Sequence, residues 1–85
     1  MKASETTLEI VRDAFAPLDT ELNRENYRQG DFPRSDTVKD LDKRYRWDLL
    51  HKAVGTGALR YQDFYDDGLN DSHIDTVLRT VVQAL

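Results

Sequence analysis

The chain has 85 residues, the size of one small domain. Its 12 basic and 16 acidic side chains give a formal net charge of −4, and it contains no cysteine. These features exclude disulfide scaffolds, thiolate zinc sites and thiol nucleophiles, and no apolar run approaches the ~18 residues of a membrane helix. The first residues carry one positive charge with no apolar run behind it. We therefore expect no signal peptide, no membrane contact and a cytoplasmic location.

A first helix is predicted to begin at one of three candidate N-caps, Ser4, Thr6 or Thr7. Pro17 lies inside the pattern and removes one backbone hydrogen bond. Because the apolar stripe is unbroken across it, we expect one helix kinked near Pro17 rather than two helices that meet there. Gly30 is the expected carboxyl-terminal cap. The stripe, with steps of three and four residues, consists of Leu8, Val11, Phe15, Leu18 and Leu22.

A second helix is predicted after a loop, with Ser35 or Asp36 as its N-cap. It is expected to cover residues 37–54 and to be ended by Gly55 and Gly57. The apolar stripe widens toward the carboxyl end, so we expect that half to be more deeply buried. The apolar positions are Val38, Leu41, Tyr45, Leu49 and Ala53, flanked by Trp47, Leu50 and Val54.

The pattern of residues 58–67 is compatible with either a strand or a short helix. A lone strand would have no pairing partner, so we predict a short third helix that ends at Gly68. Phe64 and Tyr65 are adjacent and cannot both face the core of one short helix. One of them, or Tyr61, should therefore be partly exposed.

The last helix has the clearest pattern. Asn70 or Asp71 can cap it, or Ser72 and Asp75 can form a capping box. Its apolar face is predicted at Ile74, Val77, Leu78, Val81 and Leu85. Together the elements predict one all-α domain over residues 1–85, a compact antiparallel bundle of three to four helices.

Charge is unevenly distributed, because residues 58–85 hold two basic and five acidic side chains. The pattern around Gly68 does not match a calcium-binding EF-hand loop. Tyr65 and Ile74 occupy the third and twelfth positions, where such a loop needs oxygen ligands. Helix capping and a solvated turn are the ordinary interpretation of these acids. The functional interpretation is an anionic surface that docks a basic protein. The five acids are Asp63, Asp66, Asp67, Asp71 and Asp75.

Tyrosines lie among these acids, a combination common at protein interfaces. The ordinary interpretation is a buried ring with its hydroxyl at the surface. A rigid ring supplies contact area at an interface, and neighbouring carboxylates orient a basic partner. Reversal of both Asp66 and Asp67 to Lys is expected to abolish partner binding and to leave the fold intact. The predicted partner-binding residues are Tyr61, Asp63, Tyr65, Asp66, Asp67, Asp71 and Asp75.

The layout of the second half of the chain resembles that of the bacteriocin immunity proteins. Those are acidic four-helix domains of similar size whose short third helix presents tyrosines and acids to a basic nuclease. The paired-tyrosine–proline turn of that family is absent, because Asp66 follows Phe64 and Tyr65. The resemblance implies that an acidic helical domain of this size can act purely as an inhibitor.

A basic row on the second helix is the alternative site. Lys39, Lys43 and Arg46 share one face and suggest an anion or nucleic-acid contact. Carboxylates are interleaved with them, which favours local ion pairing on a solvated face and argues against nucleic acid. These carboxylates are Asp36, Asp40, Asp42 and Asp48.

Catalysis has little support in the sequence. His51 and His73 have no second histidine at metal-ligand spacing, so we interpret both as structural and predict no metal, cofactor or catalytic residue. A small helical enzyme would instead grip a carboxylate substrate with cations such as Arg12, Arg44 and Arg46. An enclosed polar pocket lined by two or more of these cations would indicate such an enzyme.

We therefore predict a non-enzymatic protein–protein interaction module, a regulator or inhibitor of a basic, nucleic-acid-handling partner. The alternative is a structural or oligomerisation subunit of a larger assembly. In that case the Leu8–Leu22 stripe would be only partly buried within one chain and would form a homodimer interface.

Overall fold

A computed structural model describes residues 3–22, Tyr27 and residues 38–85. No strand occurs in these parts of the chain, and the helices pack together into an all-α bundle, which confirms the predicted fold class. No described helix is long and apolar enough to cross a membrane. Four helices are described: α1 (Glu5–Leu22), α2 (Val38–Thr56), α3 (Tyr61–Asp66) and α4 (Asp71–Gln83).

Helix α1 begins directly after Ser4, whose hydroxyl oxygen accepts a hydrogen bond of 3.3 Å from the backbone N–H of Thr7. Ser4 is therefore the N-cap, whereas Thr6 and Thr7 lie inside the helix. The helix continues through Pro17 as one element, as the unbroken apolar stripe predicts. Gly30, the cap predicted for its other end, lies outside the described residues.

Helix α2 extends to Thr56, so the prediction that Gly55 ends it was wrong. One glycine costs a helix only about 1 kcal/mol relative to alanine, which is too little to end it. Gly57 does end the helix, because its φ of +83° places it in the left-handed region that glycine adopts without strain. The predicted N-caps Ser35 and Asp36 lie outside the described residues.

Helix α3 is the predicted short helix, and Gly68 follows it with a φ of +79°. Asn70 caps α4: its Oδ1 accepts a hydrogen bond of 3.0 Å from the backbone N–H of Ser72. The backbone N–H of Asn70 in turn donates to Nδ1 of His73 at 3.2 Å. His73 therefore completes the cap, a structural contact of the kind that we expected for it.

The core contains side chains from all four helices and from the connections between α2, α3 and α4. Phe64 is buried and Tyr61 and Tyr65 are exposed, which confirms that at least one of these three rings is exposed; the sequence pattern did not predict which one. Leu85 is 38% exposed, so its predicted place on the buried face of α4 was wrong; it lies beyond the last helical residue, and Val82 is buried instead. The most deeply buried apolar side chains are Val11, Phe15, Tyr45, Leu49, Leu50, Ala53, Leu59, Phe64 and Leu78.

The apolar stripe of α1 is largely buried within one chain. Val11, Phe15 and Leu18 are buried in the core, and Leu8 and Leu22 are half-buried at its edge. A homodimer interface on this stripe would thus be limited to its two ends.

Candidate functional site

Two tyrosines of α3 form the most accessible aromatic surface of the described bundle. Tyr61 and Tyr65 are 36% and 42% exposed and lie four residues apart, so they occupy one side of the helix. Phe64 is completely buried and anchors the opposite side in the core. A helix of six residues cannot bury all three rings, and the helical period decides which two remain outside.

These tyrosines line a groove of about 350 Å³ together with Trp47 from α2 and with Asp71 and Ile74 from α4. We call these five residues the aromatic groove. Ile74, only 2% exposed, supplies its apolar base. The hydroxyl of Tyr65 donates a hydrogen bond of 2.6 Å to Oδ1 of Asp71, and this bond raises the pKa of the phenol.

The indole of Trp47 is held in place by a hydrogen bond within the chain. Its Nε1–H donates a hydrogen bond of 2.9 Å to Oδ1 of Asp75, and the ring centroid lies 6.1 Å from that of His51. Trp47 was assigned only a flanking apolar position by the sequence pattern. Its place in the groove depends on packing between α2, α3 and α4. The one feature of the sequence that could have pointed to this role is a single tryptophan at the edge of an apolar stripe.

Asp75, a predicted partner-binding residue, is instead engaged inside the protein. It accepts hydrogen bonds from Arg46 and Trp47 and forms an ion pair with Arg79 at 3.3 Å. Burial opposes ionisation of this carboxyl, yet the hydrogen bonds from Arg46 and Trp47 outweigh it and lower the pKa. Arg46 is 8% exposed, so its predicted place on a solvated face was wrong.

Two further predicted partner-binding residues also have contacts within the chain. Asp63 accepts hydrogen bonds from the backbone N–H of Arg60 at 2.9 Å and from its guanidinium at 3.0 Å, which caps α3. Asp67 accepts a hydrogen bond of 2.7 Å from the backbone N–H of Ser4 and thereby ties the start of α1 to the end of α3. The backbone hydrogen bonds from Arg60 and Ser4 lower the pKa of Asp63 and Asp67, respectively.

Asp66 and Asp71 remain as exposed acids on this side of the bundle. Asp66 accepts a hydrogen bond of 2.8 Å from the side-chain amide of Gln62. The structure thus leaves four of the seven predicted residues exposed at the surface: Tyr61, Tyr65, Asp66 and Asp71. In the parts of the chain that are described, no group of three or more His, Asp or Glu side chains is arranged to hold a metal ion.

A second groove, of about 590 Å³, lies between α2 and α4. It is open to solvent, and its cations are interleaved with carboxylates, unlike the enclosed cationic pocket expected of a carboxylate-binding enzyme. Arg12 and Arg44 do not line it. The lining residues are Lys39, Asp40, Asp42, Lys43, Arg46, Asp75, Arg79 and Gln83.

Comparison with known proteins does not extend these observations: no protein-family model, curated protein or solved structure matches the chain.

Proposed function

We propose that this chain is a non-enzymatic binding protein, a regulator or inhibitor that docks a basic partner protein through the aromatic groove and Asp66. The observation that carries this proposal is the exposure of Tyr61 and Tyr65 around a groove that also presents a carboxylate. Clustered aromatic rings with an apolar base are typical of the centre of a protein interface, and acids at the edge orient the partner.

Charge supports a basic partner. Residues 58–85 hold two basic and five acidic side chains. Both basic ones are paired with aspartates of the same segment, Arg60 with Asp63 and Arg79 with Asp75. The remaining negative charge accelerates encounter with a positive surface, and salt screens it over ~10 Å at 0.1 M.

Two hydrogen bonds within the chain hold rings of the groove in position. Asp71 holds the ring of Tyr65 through the phenol, and Asp75 holds the ring of Trp47 through the indole nitrogen. Side chains that already occupy one orientation lose less conformational entropy on binding. This arrangement favours tight docking by a small surface.

The test begins with capture of partners from a lysate of the native organism on the immobilised protein, at low and high salt, with masses read out. Capture is then repeated with Asp66→Lys and with the matched control Asp13→Lys, an equal charge reversal at an exposed position of α1. Asp66 is reversed alone because Asp67 holds Ser4, so the double reversal would also disturb internal packing.

We expect one dominant partner to be captured at low salt and released at high salt. The Asp13→Lys variant should still capture it, and the Asp66→Lys variant should not. With that partner purified, Tyr61→Ala should weaken the affinity about 30-fold, the ~2 kcal/mol typical of an interface hot spot. A partner that both charge reversals retain equally, or no partner at either salt, contradicts the proposal.

A further inference from the structure

The aromatic groove has a composition that selects the charge of its ligand. Three ring systems, Trp47, Tyr61 and Tyr65, surround it, and among the described residues that line it the one charged side chain is the carboxylate of Asp71. The faces of aromatic rings attract cations, and the attraction is strongest for tryptophan. An anionic ligand would meet Asp71 without a cation among the described lining residues to balance it. The groove therefore suits a positively charged group.

We propose that the aromatic groove is a binding site for one arginine side chain, which, given the proposed function, is supplied by the surface of the basic partner. The guanidinium lies against the aromatic rings and donates hydrogen bonds to Asp71. The proposed function specifies only a basic surface. The present inference specifies the chemical group that enters the groove.

Asp71 is suited to receive a guanidinium. Its Oδ1 accepts the hydrogen bond from Tyr65, whereas its Oδ2 accepts none from any other described residue. The side chain is exposed at the start of α4, so an incoming donor reaches it without rearrangement of the helix. A hydrogen bond to a charged donor is about twice as strong as one between neutral groups.

Arginine fits this groove better than lysine. Guanidinium is planar, stacks on aromatic faces and loses its weak hydration easily, whereas an ammonium group is compact and strongly hydrated. Trp47 contributes ring surface and no donor, because its Nε1–H is already bonded to Asp75. The three methylene groups of an arginine can also cover the apolar surface of Ile74.

The experiment uses the intact protein and a defined probe, N-acetyl-arginine amide, added at constant ionic strength. Trp47 is the single tryptophan, so its indole N–H gives one nuclear magnetic resonance signal that reports directly on the groove. N-acetyl-citrulline amide, which has the same shape without the charge, is the matched control. N-acetyl-lysine amide tests the preference between cations.

We expect a saturable shift of the Trp47 signal with arginine, binding at least about threefold weaker with lysine, and no saturable shift with citrulline. Asp71→Asn should weaken arginine binding about tenfold, because it removes the charge and keeps the shape. Asp13→Asn removes the same charge from α1 and should leave binding unchanged. Thermal unfolding of both variants checks that they are folded, and Tyr61→Ala provides a second groove variant.

Failure of arginine to saturate, equal binding of citrulline, or unchanged binding by both Asp71→Asn and Tyr61→Ala overturns the inference. These results are independent of the capture experiment. If a partner depends on Asp66 and arginine does not bind, the docking function stands and the arginine site fails. If arginine binds and no partner depends on Asp66, the site stands and the docking function fails.

Discussion

Arg46 of α2 and Asp75 of α4 form an ion pair in which Nη2 lies 3.0 Å from Oδ1 and 3.2 Å from Oδ2. The side chain of Arg46 is 9% exposed and that of Asp75 is 27% exposed. Trp47, the next residue along α2, donates to the same oxygen, Oδ1. One carboxylate therefore joins two helices and also fixes one wall of the aromatic groove.

Removal of one member of this pair should destabilise the fold more than removal of both. Asp75→Leu leaves Arg46 buried without a counter-ion, so we expect the free energy of unfolding to fall by about 2–3 kcal/mol, less than for a fully buried pair. The double variant Arg46→Met with Asp75→Leu should regain at least half of that loss.

Urea denaturation measures these differences. Arg79→Met is the control, because Arg79 is 53% exposed and its ion pair with Asp75 should contribute less than about 1 kcal/mol. Strictly additive losses in the double variant would contradict the expected coupling between Arg46 and Asp75.

Acid should destabilise the protein through its internally bonded carboxylates. The pKa values of Asp63, Asp67 and Asp75 are all lowered below the usual 3.8, so the unfolded chain binds protons more readily than the folded one. Their stabilisation is complete above the unfolded pKa and is lost as the pH falls through the folded pKa. The thermal midpoint should therefore be steady above about pH 5 and should fall progressively below pH 3.8.

The variant Asp75→Asn tests this assignment. It should start from a lower midpoint near neutral pH and lose less on acidification than the unmodified protein does. Asp13→Asn should keep the full acid loss. Equal acid losses in all three proteins would show that Asp75 does not contribute to the pH dependence.

Two glycines near the end of α2 should respond in opposite directions to alanine. At both Gly55 and Gly57, a Cβ would meet no atom within 4 Å other than those of the adjacent residues and of the helix's own backbone, so the comparison isolates backbone conformation. Gly55→Ala should raise the free energy of unfolding by about 0.5–1 kcal/mol, the helix preference of alanine. Gly57→Ala should lower it by about 1 kcal/mol, because its φ is +83°. Urea denaturation of both variants checks this, and equal signs would contradict it.

Tyr27 should ionise at unusually high pH. Burial and the hydrogen bond of 2.7 Å that its hydroxyl donates to Asp48 raise its pKa to about 12. The folded pKa is raised, so this contribution to stability is present below pH 10 and is lost as the pH rises toward 12. Ultraviolet absorbance, with circular dichroism to verify helix content, should show a late phase whose amplitude Tyr27→Phe reduces by one tyrosine. Because the pKa of Tyr65 is also raised, a part of the phase should remain. Asp48→Asn should move that phase to lower pH, and an unmoved phase would contradict the assigned cause.

The aromatic groove shows that the helical period predicts exposure within one helix but not which residues of different helices come together. The helical period predicted that at least one of Tyr61, Phe64 and Tyr65 would be partly exposed, because adjacent rings cannot both face the core. The structure buries Phe64 and exposes both tyrosines. Trp47 lies in another helix, so the residue spacing within α3 gives no information about its position relative to the two tyrosines. Its contribution to the groove depends on how α2 and α4 pack beside α3, which the sequence pattern does not specify.

The all-α class, the short third helix and most of the core could be predicted without coordinates, because apolar side chains recur at the helical period and each helix has one buried side. The partners of several charged side chains depend on how the helices pack. Arg46 is buried against Asp75 of another helix, and Asp67 bonds to Ser4 at the start of α1, whereas Asp66 and Asp71 remain exposed. Asp63 differs, because its partner Arg60 lies three residues away and the two form a local helix cap. A charged side chain such as Arg46 enters the interior only where another element supplies its partner, and that partner is a property of packing rather than of local sequence.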